Sequence, residues 1–298
     1  MNKKRSDYRG LLYITPWLIG FLVFTLYPFV ASFVLSFTKY DILNPPKFVG
    51  LRNYVKMFTK DQDFKNSLLV TFKYVVMTVP LKLIFALLIA FILNFNLKGI
   101  NFFRTAYYIP SILGGNVAIA VLWRFLFSAS GGLVNQVIGL FGAGPVNWFG
   151  TPGPALFTLT ILRIWQFGSA MVIFLAALQD IPQDLYDAAA VDGANKFTVF
   201  RKITVPLLTP VIFFNFVMQL IQAFQEFNAP YLITGGGPLK ATYLLPVYIY
   251  DQSFQYYNMG YGSALSWVLF VIIMIFTLLI FKSSDYWVFY SDVGEGGK

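Results

Sequence analysis

The chain has 298 residues, of which 57% are hydrophobic and only 12% are charged. In soluble domains about a quarter of the residues are usually charged. It contains no Cys and no His, which excludes disulfides, thiolate or imidazole catalysis and the usual zinc and haem ligands. The net charge of +9 includes no basic run longer than Lys3-Lys4-Arg5, so it indicates membrane topology and lipid-headgroup contact rather than nucleic-acid binding.

Six stretches are apolar and long enough to cross a membrane, which takes about 20 mostly apolar residues in a helix. The first follows several cations, as a signal peptide would, but it is longer than the signal core of about 7–15 apolar residues. It is therefore predicted to be a retained span of an all-α integral membrane protein. The predicted spans are Leu11–Phe37, Leu68–Phe95, Ala106–Phe127, Ala155–Leu178, Val205–Phe227 and Tyr261–Phe281.

Lys and Arg in short loops predict which side of the membrane each loop faces. With the N-terminus inside, the cytoplasmic segments hold eleven of these cations and the external loops hold seven. The first external loop, with six cations between Lys39 and Lys65, is an exception. We therefore predict a cytoplasmic N-terminus at 1–10, a transmembrane domain at 11–282 and a cytoplasmic tail at 283–298.

The loop between the fourth and fifth spans, residues 180–204, is predicted to form two helices separated by a glycine. Pro182 suits the first position of a helix, and Asp187 lies near that N-terminus, where the helix dipole favours a carboxylate. Gly193 suits a helix end in the left-handed conformation. Such a segment could dock onto another protein, or it could lie as an amphipathic helix on the lipid surface.

This loop closely resembles the signature of permeases of binding-protein-dependent ABC importers. That signature reads E-A-A, three residues, G, nine residues, I-x-L-P. The corresponding residues here are Asp187-Ala188-Ala189, Gly193 and Ile203-Thr204-Val205-Pro206, at the same spacing. Asp187 replaces Glu and Val205 replaces Leu, and both replacements keep the chemical type. The resemblance favours docking over the lipid-surface interpretation.

Other stretches resemble carbohydrate-uptake permeases, the group that contains the maltose and glycerol-phosphate systems. They follow the order of that family along the chain, and they imply the type I ABC importer permease fold with six transmembrane helices. The stretches are Tyr27-Pro28 with Ser36-Phe37-Thr38, Phe48–Tyr54, Phe103–Thr105 with Ile109-Pro110, and Thr234–Pro238. The glycines at 235–237 either form a flexible external turn or, by the resemblance, shape a loop near the mouth of a binding protein.

The resemblance implies a permease subunit of an ATP-driven sugar or oligosaccharide importer in the bacterial cell membrane, with both termini cytoplasmic. Its implied partners are a second permease subunit, two ATP-binding subunits, an external or periplasmic sugar-binding protein, the carbohydrate and membrane lipid, with no nucleic acid. The loop 187–206 would couple the chain to the ATPase. The implied coupling residues are Tyr186, Asp187, Ala188, Ala189, Asp192, Gly193 and Pro206.

The chain lacks a phosphate-binding loop, since its Gly297-Lys298 pair is not followed by Ser or Thr. It is therefore expected to be non-catalytic and to hold no cofactor, with ATP and Mg bound by the partner ATPase subunits. A membrane enzyme would need a nucleophile with a base, or metal ligands, and none is evident in a sequence without His or Cys. An ion-coupled transporter would need intramembrane carboxylates, and Glu226 alone lies within or beside a predicted span.

Sugar sites combine hydrogen-bonding side chains with aromatic rings that pack against C–H surfaces. The start of span three, span four and the end of span five offer such residues, and comparable regions line the sugar site in the maltose permease. These polar residues could equally join helices by hydrogen bonds. The predicted substrate-pathway residues are Ser111, Asn116, Arg163, Trp165, Gln166, Ser169, Phe224, Gln225, Glu226, Phe227 and Asn228.

Four cations lie within the predicted spans, where charges usually face the interior or a cavity. Lys73 and Arg124 are predicted to extend toward the ends of their spans. Lys82 and Arg163 could face an aqueous pathway or pair with a carboxylate such as Glu226. A basic pathway would suit an acidic oligosaccharide.

Overall fold

The structure is a computed structural model that describes residues 9–95 and 98–289, with side chains described from residue 13 onward. The predicted terminal segments therefore fall mostly outside the described residues, including Lys3-Lys4-Arg5 and the tail Ser291–Lys298. The described chain is helical apart from turns and one two-stranded antiparallel sheet. In that sheet β1 (Thr38–Lys39) pairs with β2 (Lys47–Phe48), with Thr38 opposite Phe48.

Fourteen α-helices lie within the described residues. Four short π-helical turns lie between consecutive α-helices. The π-helical turns are Leu22–Leu26, Phe200–Thr204, Pro230–Thr234 and Asp251–Gln255. The helices are α1 (Arg9–Phe21), α2 (Tyr27–Ser36), α3 (Arg52–Thr59), α4 (Gln62–Leu93), α5 (Ile100–Leu113), α6 (Val117–Leu126), α7 (Leu133–Leu140), α8 (Pro152–Trp165), α9 (Gly168–Gln179), α10 (Gln183–Val191), α11 (Lys196–Val199), α12 (Val205–Phe224), α13 (Leu245–Tyr250) and α14 (Met259–Trp287).

Four stretches of the described chain are apolar and long enough to cross a membrane as they stand. Two further pairs of helices qualify together but are bent, α5 with α6 by 104° and α8 with α9 by 42°. When each bent pair counts as one span, the six predicted spans are present in the predicted order. The four unbroken stretches are Tyr13–Ser36, Gln62–Leu93, Lys196–Phe224 and Met259–Trp287.

Spans three and four are each broken into two helices at glycine residues. In span three α5 ends at Leu113, and Gly114 and Gly115 occupy the bend before α6. The Gly114 carbonyl accepts a hydrogen bond of 3.0 Å from Gln166 Nε2. A membrane helix tolerates such a break where other groups satisfy the freed backbone. The bend therefore forms where a side chain of the next span reaches the exposed carbonyl.

Gly168 begins α9 and permits the bend in span four to pack closely against α5. A Cβ added there would lie 2.5 Å from the Tyr107 carbonyl oxygen and 2.7 Å from Tyr108 Cα. The Ser111 hydroxyl reinforces this contact because it accepts from the Ser169 amide at 2.9 Å and donates to the Gln166 carbonyl at 3.1 Å. The two bent spans are thus joined through their breaks.

The described chain forms two compact units. The first comprises the described parts of 1–62 and 249–270, and in it Trp267 packs against Phe29 and Phe33, each with ring centroids 4.7 Å apart. The second comprises 63–248 and the described part of 271–298. Its core includes fully buried Phe64, Tyr74, Leu159, Met171, Phe174, Leu208, Phe224 and Leu245.

Candidate functional site

The loop that follows α9 forms two helices with Gly193 between them. Gly193 has a φ of +72°, its amide donates to the Ala190 carbonyl at 3.1 Å, and the Ala194 amide donates to the Ala189 carbonyl at 2.9 Å. This pair of bonds is the Schellman motif that closes a helix with a left-handed residue. The next helix is capped by the Asn195 side chain, which accepts from the Thr198 amide at 2.8 Å. The direction of the second helix is therefore set by local geometry.

One detail of the predicted loop was wrong. Pro182 precedes the first helical residue, Gln183, instead of occupying the first helical position. The short second helix, α11, leads directly into α12, since helical structure continues from Lys196 to Phe224 through a π-helical turn. Pro206 is the second residue of α12 within this continuous rod, where its missing amide removes at most one backbone donor.

The outer face of this loop is exposed and carries both apolar and charged side chains. The side chains of Val191 and Phe197 are 87% and 71% exposed, beside exposed Ala188 and Ala190. Asp187 is exposed and accepts from Gln183 Nε2 at 3.2 Å. Exposed apolar side chains beside exposed carboxylates leave this surface available to another protein. We call this exposed surface of α10 and α11 the loop face.

Not all of the predicted coupling residues lie on the loop face. Asp187, Ala188, Asp192 and Gly193 are exposed. Ala189 is buried, and half-buried Tyr186 places its hydroxyl 3.2 Å from Thr204 Oγ1. Tyr186 and Ala189 therefore hold α10 against the rest of the loop, and Pro206 is half-buried in α12.

A cavity that no sequence pattern predicted lies next to the loop. It has a volume of about 700 Å³ and lies between the C-terminal part of α4, α10 and the start of the α11–α12 rod, and it borders the loop face at Ala190 and Phe197. Its walls are mainly apolar because most of the residues that line it are aliphatic or aromatic. They are Leu87, Leu88, Phe91, Asn94, Phe95, Leu178, Tyr186, Ala190, Ala194, Lys196, Phe197, Val199, Phe200 and Thr204.

A second, polar cavity of about 360 Å³ lies where the α5–α6 bend, the α8–α9 bend and the end of α12 meet. We call it the polar cavity. Seven of its residues belong to the predicted substrate pathway: Ser111, Arg163, Gln166, Gln225, Glu226, Phe227 and Asn228. The remaining three, Gly114, Gly115 and Gln222, were not predicted. Gln222 lies three residues before Gln225 and thus on the same helix face, which is the signal that could have identified it.

Four predicted pathway residues lie outside the lining of the polar cavity. Phe224 is buried, with its ring centroid 5.4 Å from that of Phe72 and 5.7 Å from that of Phe276. Trp165 packs against Trp123 at 5.7 Å between ring centroids. Asn116 is exposed and precedes α6, while Ser169 contributes its backbone amide to the contact with Ser111.

Arg163 joins the side chains of the polar cavity into one network. Its Nη2 donates to Gln222 Oε1 at 2.8 Å, and its Nη1 donates to Gln166 Oε1 at 3.2 Å. Nη1 also lies 3.5 Å from Glu226 Oε2. The ion pair between Arg163 and Glu226 that the sequence offered as one alternative is therefore present. The other Glu226 oxygen accepts from the Ala229 amide at 3.3 Å.

Lys82 lies in the C-terminal half of α4, and its side chain is buried, with only 2% of the residue exposed. Its Nζ donates to Gln219 Oε1 at 2.7 Å, so its partner is a neutral amide instead of the carboxylate that the sequence offered as an alternative. Lys73 and Arg124 are both exposed.

The glycine-rich loop is held by hydrogen bonds within the described residues. Thr242 Oγ1 donates to the Gly237 carbonyl at 2.6 Å, and Lys240 Nζ forms a 2.6 Å ion pair with Asp63. Gly236 has a φ of +83°, and a Cβ there would lie 2.4 Å from the Tyr243 ring. These contacts favour a shaped loop over a flexible turn.

Comparison with known proteins now identifies the family. A family model described as the binding-protein-dependent transport system inner membrane component matches residues 60–291. The chain belongs to this family. The chain is 48% identical over 302 residues to the probable ABC transporter permease protein YesP of Bacillus subtilis (strain 168), and the match covers 99% of this chain and 97% of that protein. It is 38% identical over 285 residues to the trehalose/maltose transport system permease protein MalF of Thermococcus litoralis, covering 94% and 95%.

The permease fold is supported by a solved structure. A chain of a bacterial ABC transporter involved in the import of the acidic polysaccharide alginate matches with a TM-score of 0.82 and 22% identity, over 94% of this chain and 96% of that one. The predicted six-span importer permease fold is thus confirmed. Permeases of this family are non-catalytic membrane subunits that work with a separate ATPase, so the predictions of a multi-pass membrane protein and of no enzymatic activity are also confirmed.

Proposed function

We propose that this permease is one of two membrane subunits of an ATP-driven carbohydrate importer and forms half of its translocation pathway. The observation that carries the proposal is the polar cavity, in which side-chain amides, a hydroxyl and an ion pair surround a small volume between membrane spans. Sugar hydroxyls need such groups to replace water, and Phe227 offers an aromatic face for a C–H surface. The name of the trehalose/maltose relative supports a carbohydrate as the cargo.

The loop face is the proposed contact with the ATPase. It combines exposed apolar side chains with the exposed carboxylates of Asp187 and Asp192, and the Schellman motif at Gly193 fixes the direction of both helices. The proposed partners are a second permease, two ATP-binding subunits that bind ATP and Mg, and an external sugar-binding protein. This arrangement requires the loop 180–204 and both termini, 1–10 and 283–298, to be cytoplasmic.

The proposed transport cycle depends on the difference in ATP affinity between two states. ATP shifts an equilibrium between outward-open and inward-open forms only by as much as the ATPase subunits bind it more tightly in one form. The α11–α12 rod connects the loop face to Gln219 and Gln222 near the polar cavity. Movement of the docked ATPase would thereby change the hydrogen bonds that hold Lys82 and Arg163.

The test is ATP-dependent uptake of labelled oligosaccharides by proteoliposomes that contain the complete importer. The permease is co-purified with its partner permease and ATPase subunits, and the cognate binding protein is added outside. We expect uptake that requires both ATP and the binding protein, and no ATP hydrolysis by the permease alone. An ATPase with its catalytic carboxylate replaced is the matched control. Uptake driven by an ion gradient without ATP would contradict the proposal.

A further inference from the structure

Two cations lie side by side along one face of α12. Lys82 Nζ donates to Gln219 at 2.7 Å, and Arg163 Nη2 donates to Gln222 at 2.8 Å. Gln219 and Gln222 are three residues apart, so they are neighbours on the helix surface, about 5–6 Å apart at Cβ. The ammonium and the guanidinium therefore occupy adjacent positions beside and within the polar cavity, although they come from different spans.

The carboxylates of the described residues do not balance these two charges. Glu226 is the acidic residue of the polar cavity, and its contact with Arg163 is a long one of 3.5 Å. Its other oxygen is engaged by the Ala229 amide. Within the described residues, no carboxylate lies at ion-pair distance from Lys82, whose hydrogen-bond partner is the neutral Gln219. The group of Lys82, Arg163 and Glu226 thus has a formal charge of +1.

An uncompensated cation inside a membrane protein is costly, and such charges usually mark a pathway or await a counter-ion. Arg163 and Glu226 have side chains only 17% and 12% exposed, and Lys82 is less exposed still. A single negative charge brought into the polar cavity would neutralise the group. A neutral sugar would leave the excess charge in place.

We propose that the polar cavity selects saccharides that carry a carboxylate, that is, oligosaccharides that contain a uronic acid. This inference rests on the proposed function and names its substrate class. The Arg163 guanidinium presents paired donors that match a carboxylate, and its two present acceptors at hydrogen-bond distance are neutral amide oxygens, which a carboxylate can replace. Released in this way, the Gln166 and Gln222 side chains can bind the remaining sugar hydroxyls.

The same excess charge has a second conceivable counter-ion, a carboxylate of the partner permease subunit. In that case the assembled pathway would be neutral and would favour neutral sugars. The two sources make opposite predictions for substrate choice, so an uptake experiment on the complete importer distinguishes them.

The experiment uses the complete importer in proteoliposomes with its binding protein and ATP. The probes are labelled disaccharides of glucuronic or galacturonic acid and their carboxyl-reduced counterparts, in which a primary alcohol replaces each carboxylate. We expect the acidic probe to be imported at least about tenfold faster than its neutral counterpart, because charge-assisted hydrogen bonds are stronger than neutral ones. Equal or faster import of the neutral probe would overturn the inference and leave a carbohydrate importer. Import of neither probe, by an importer that takes up other labelled oligosaccharides, would overturn the inference and leave the proposed function in place.

Variants assign the selectivity to the permease, since the binding protein is unchanged. Arg163→Gln is expected to lower acidic import about 10–100-fold and so reduce the ratio of acidic to neutral import. Arg163→Lys, which keeps the charge, is expected to restore part of that ratio. Lys73→Gln removes an exposed lysine of α4 and is the control that leaves the ratio unchanged. A ratio that stays constant in Arg163→Gln, with the complex recovered in normal yield, would overturn the inference.

Discussion

The loop face and the polar cavity are held together by different kinds of contact. At the loop, the Ala194 amide bonds to Ala189 and Asn195 caps Thr198, so the partners are only a few residues apart. In the polar cavity, Arg163 bonds to Gln222, 59 residues away, and Gln166 bonds to Gly114, 52 residues away. The loop keeps its shape without help and leaves its outer side chains available. The cavity side chains hold one another, so each substitution there affects several elements.

One glycine in each region shows the same contrast. Gly193 has a φ of +72° and no atom within 4 Å of an added Cβ, so only backbone conformation requires a glycine there. Gly168 has no positive φ, but backbone atoms of α5 lie within 2.7 Å of where a Cβ would be. Gly168 is therefore required because there is no room for a side chain beside α5. The two positions should therefore respond differently to substitution.

The largest effect on stability is expected for Gly168→Ala. The new methyl group would overlap the Tyr107 carbonyl and the Tyr108 backbone, so α5 must move, and overpacking of this kind costs about 1–3 kcal/mol or more. The midpoint of thermal unfolding of the purified importer should fall clearly. The matched control is Gly115→Ala, whose Cβ would be 3.9 Å from Asn228 Nδ2. Equal unfolding midpoints for the two variants would show that α5 is not closely packed at Gly168.

Gly193→Leu is expected to reduce transport more than stability. A residue with a Cβ is destabilised by about 1–2 kcal/mol in the left-handed conformation. Relief of that strain would change the direction of the α11–α12 rod and move it away from the ATPase. We expect ATP hydrolysis that no longer produces uptake, measured as the ratio of transported sugar to released phosphate. Gly193→Asn is the control, because Asn tolerates this conformation better. Unchanged coupling in Gly193→Leu would show that the loop face does not dock.

The smallest effect is expected for Glu226→Ala. This change removes the Ala229 cap and the long contact with Arg163, and a single hydrogen bond typically contributes about 0.5–1.5 kcal/mol. Uptake should slow by up to about tenfold. Glu226→Gln keeps an acceptor for the Ala229 amide, so its uptake rate should lie between those of the unchanged protein and Glu226→Ala. Loss of complex assembly in Glu226→Ala, with uptake per assembled complex unchanged, would instead identify Glu226 as a purely structural tie.

The features that could be predicted from the sequence are those that depend on neighbours along the chain. Hydropathy predicted six spans, and Pro182, Asp187 and Gly193 predicted the helix–glycine–helix loop. The 104° bend at Gly114 could not be predicted, because the bond that satisfies its carbonyl comes from Gln166 in another span. Two glycines permit a bend without requiring one.

The polar cavity was predicted in part for the same reason. Arg163 and Glu226 were identified as possible partners because charges within spans need compensation. Phe224 does not line the polar cavity, since it lies next to Gln225 in sequence but about 100° around the helix from it. The phase of α12 depends on packing against Phe72 and Phe276, which no local pattern reveals.

The unbroken helix from Lys196 to Phe224 has a mechanical consequence. Its 29 residues span about 43 Å at 1.5 Å per residue. If this rod tilts about one end by only about 5°, the other end moves by roughly 4 Å, more than the length of a hydrogen bond. A small rotation at the loop face is therefore enough to withdraw Gln222 from Arg163 or to bring the two together. If the loop face docks as proposed, the helix would convert a rotation at the loop face into the making or breaking of a contact in the polar cavity.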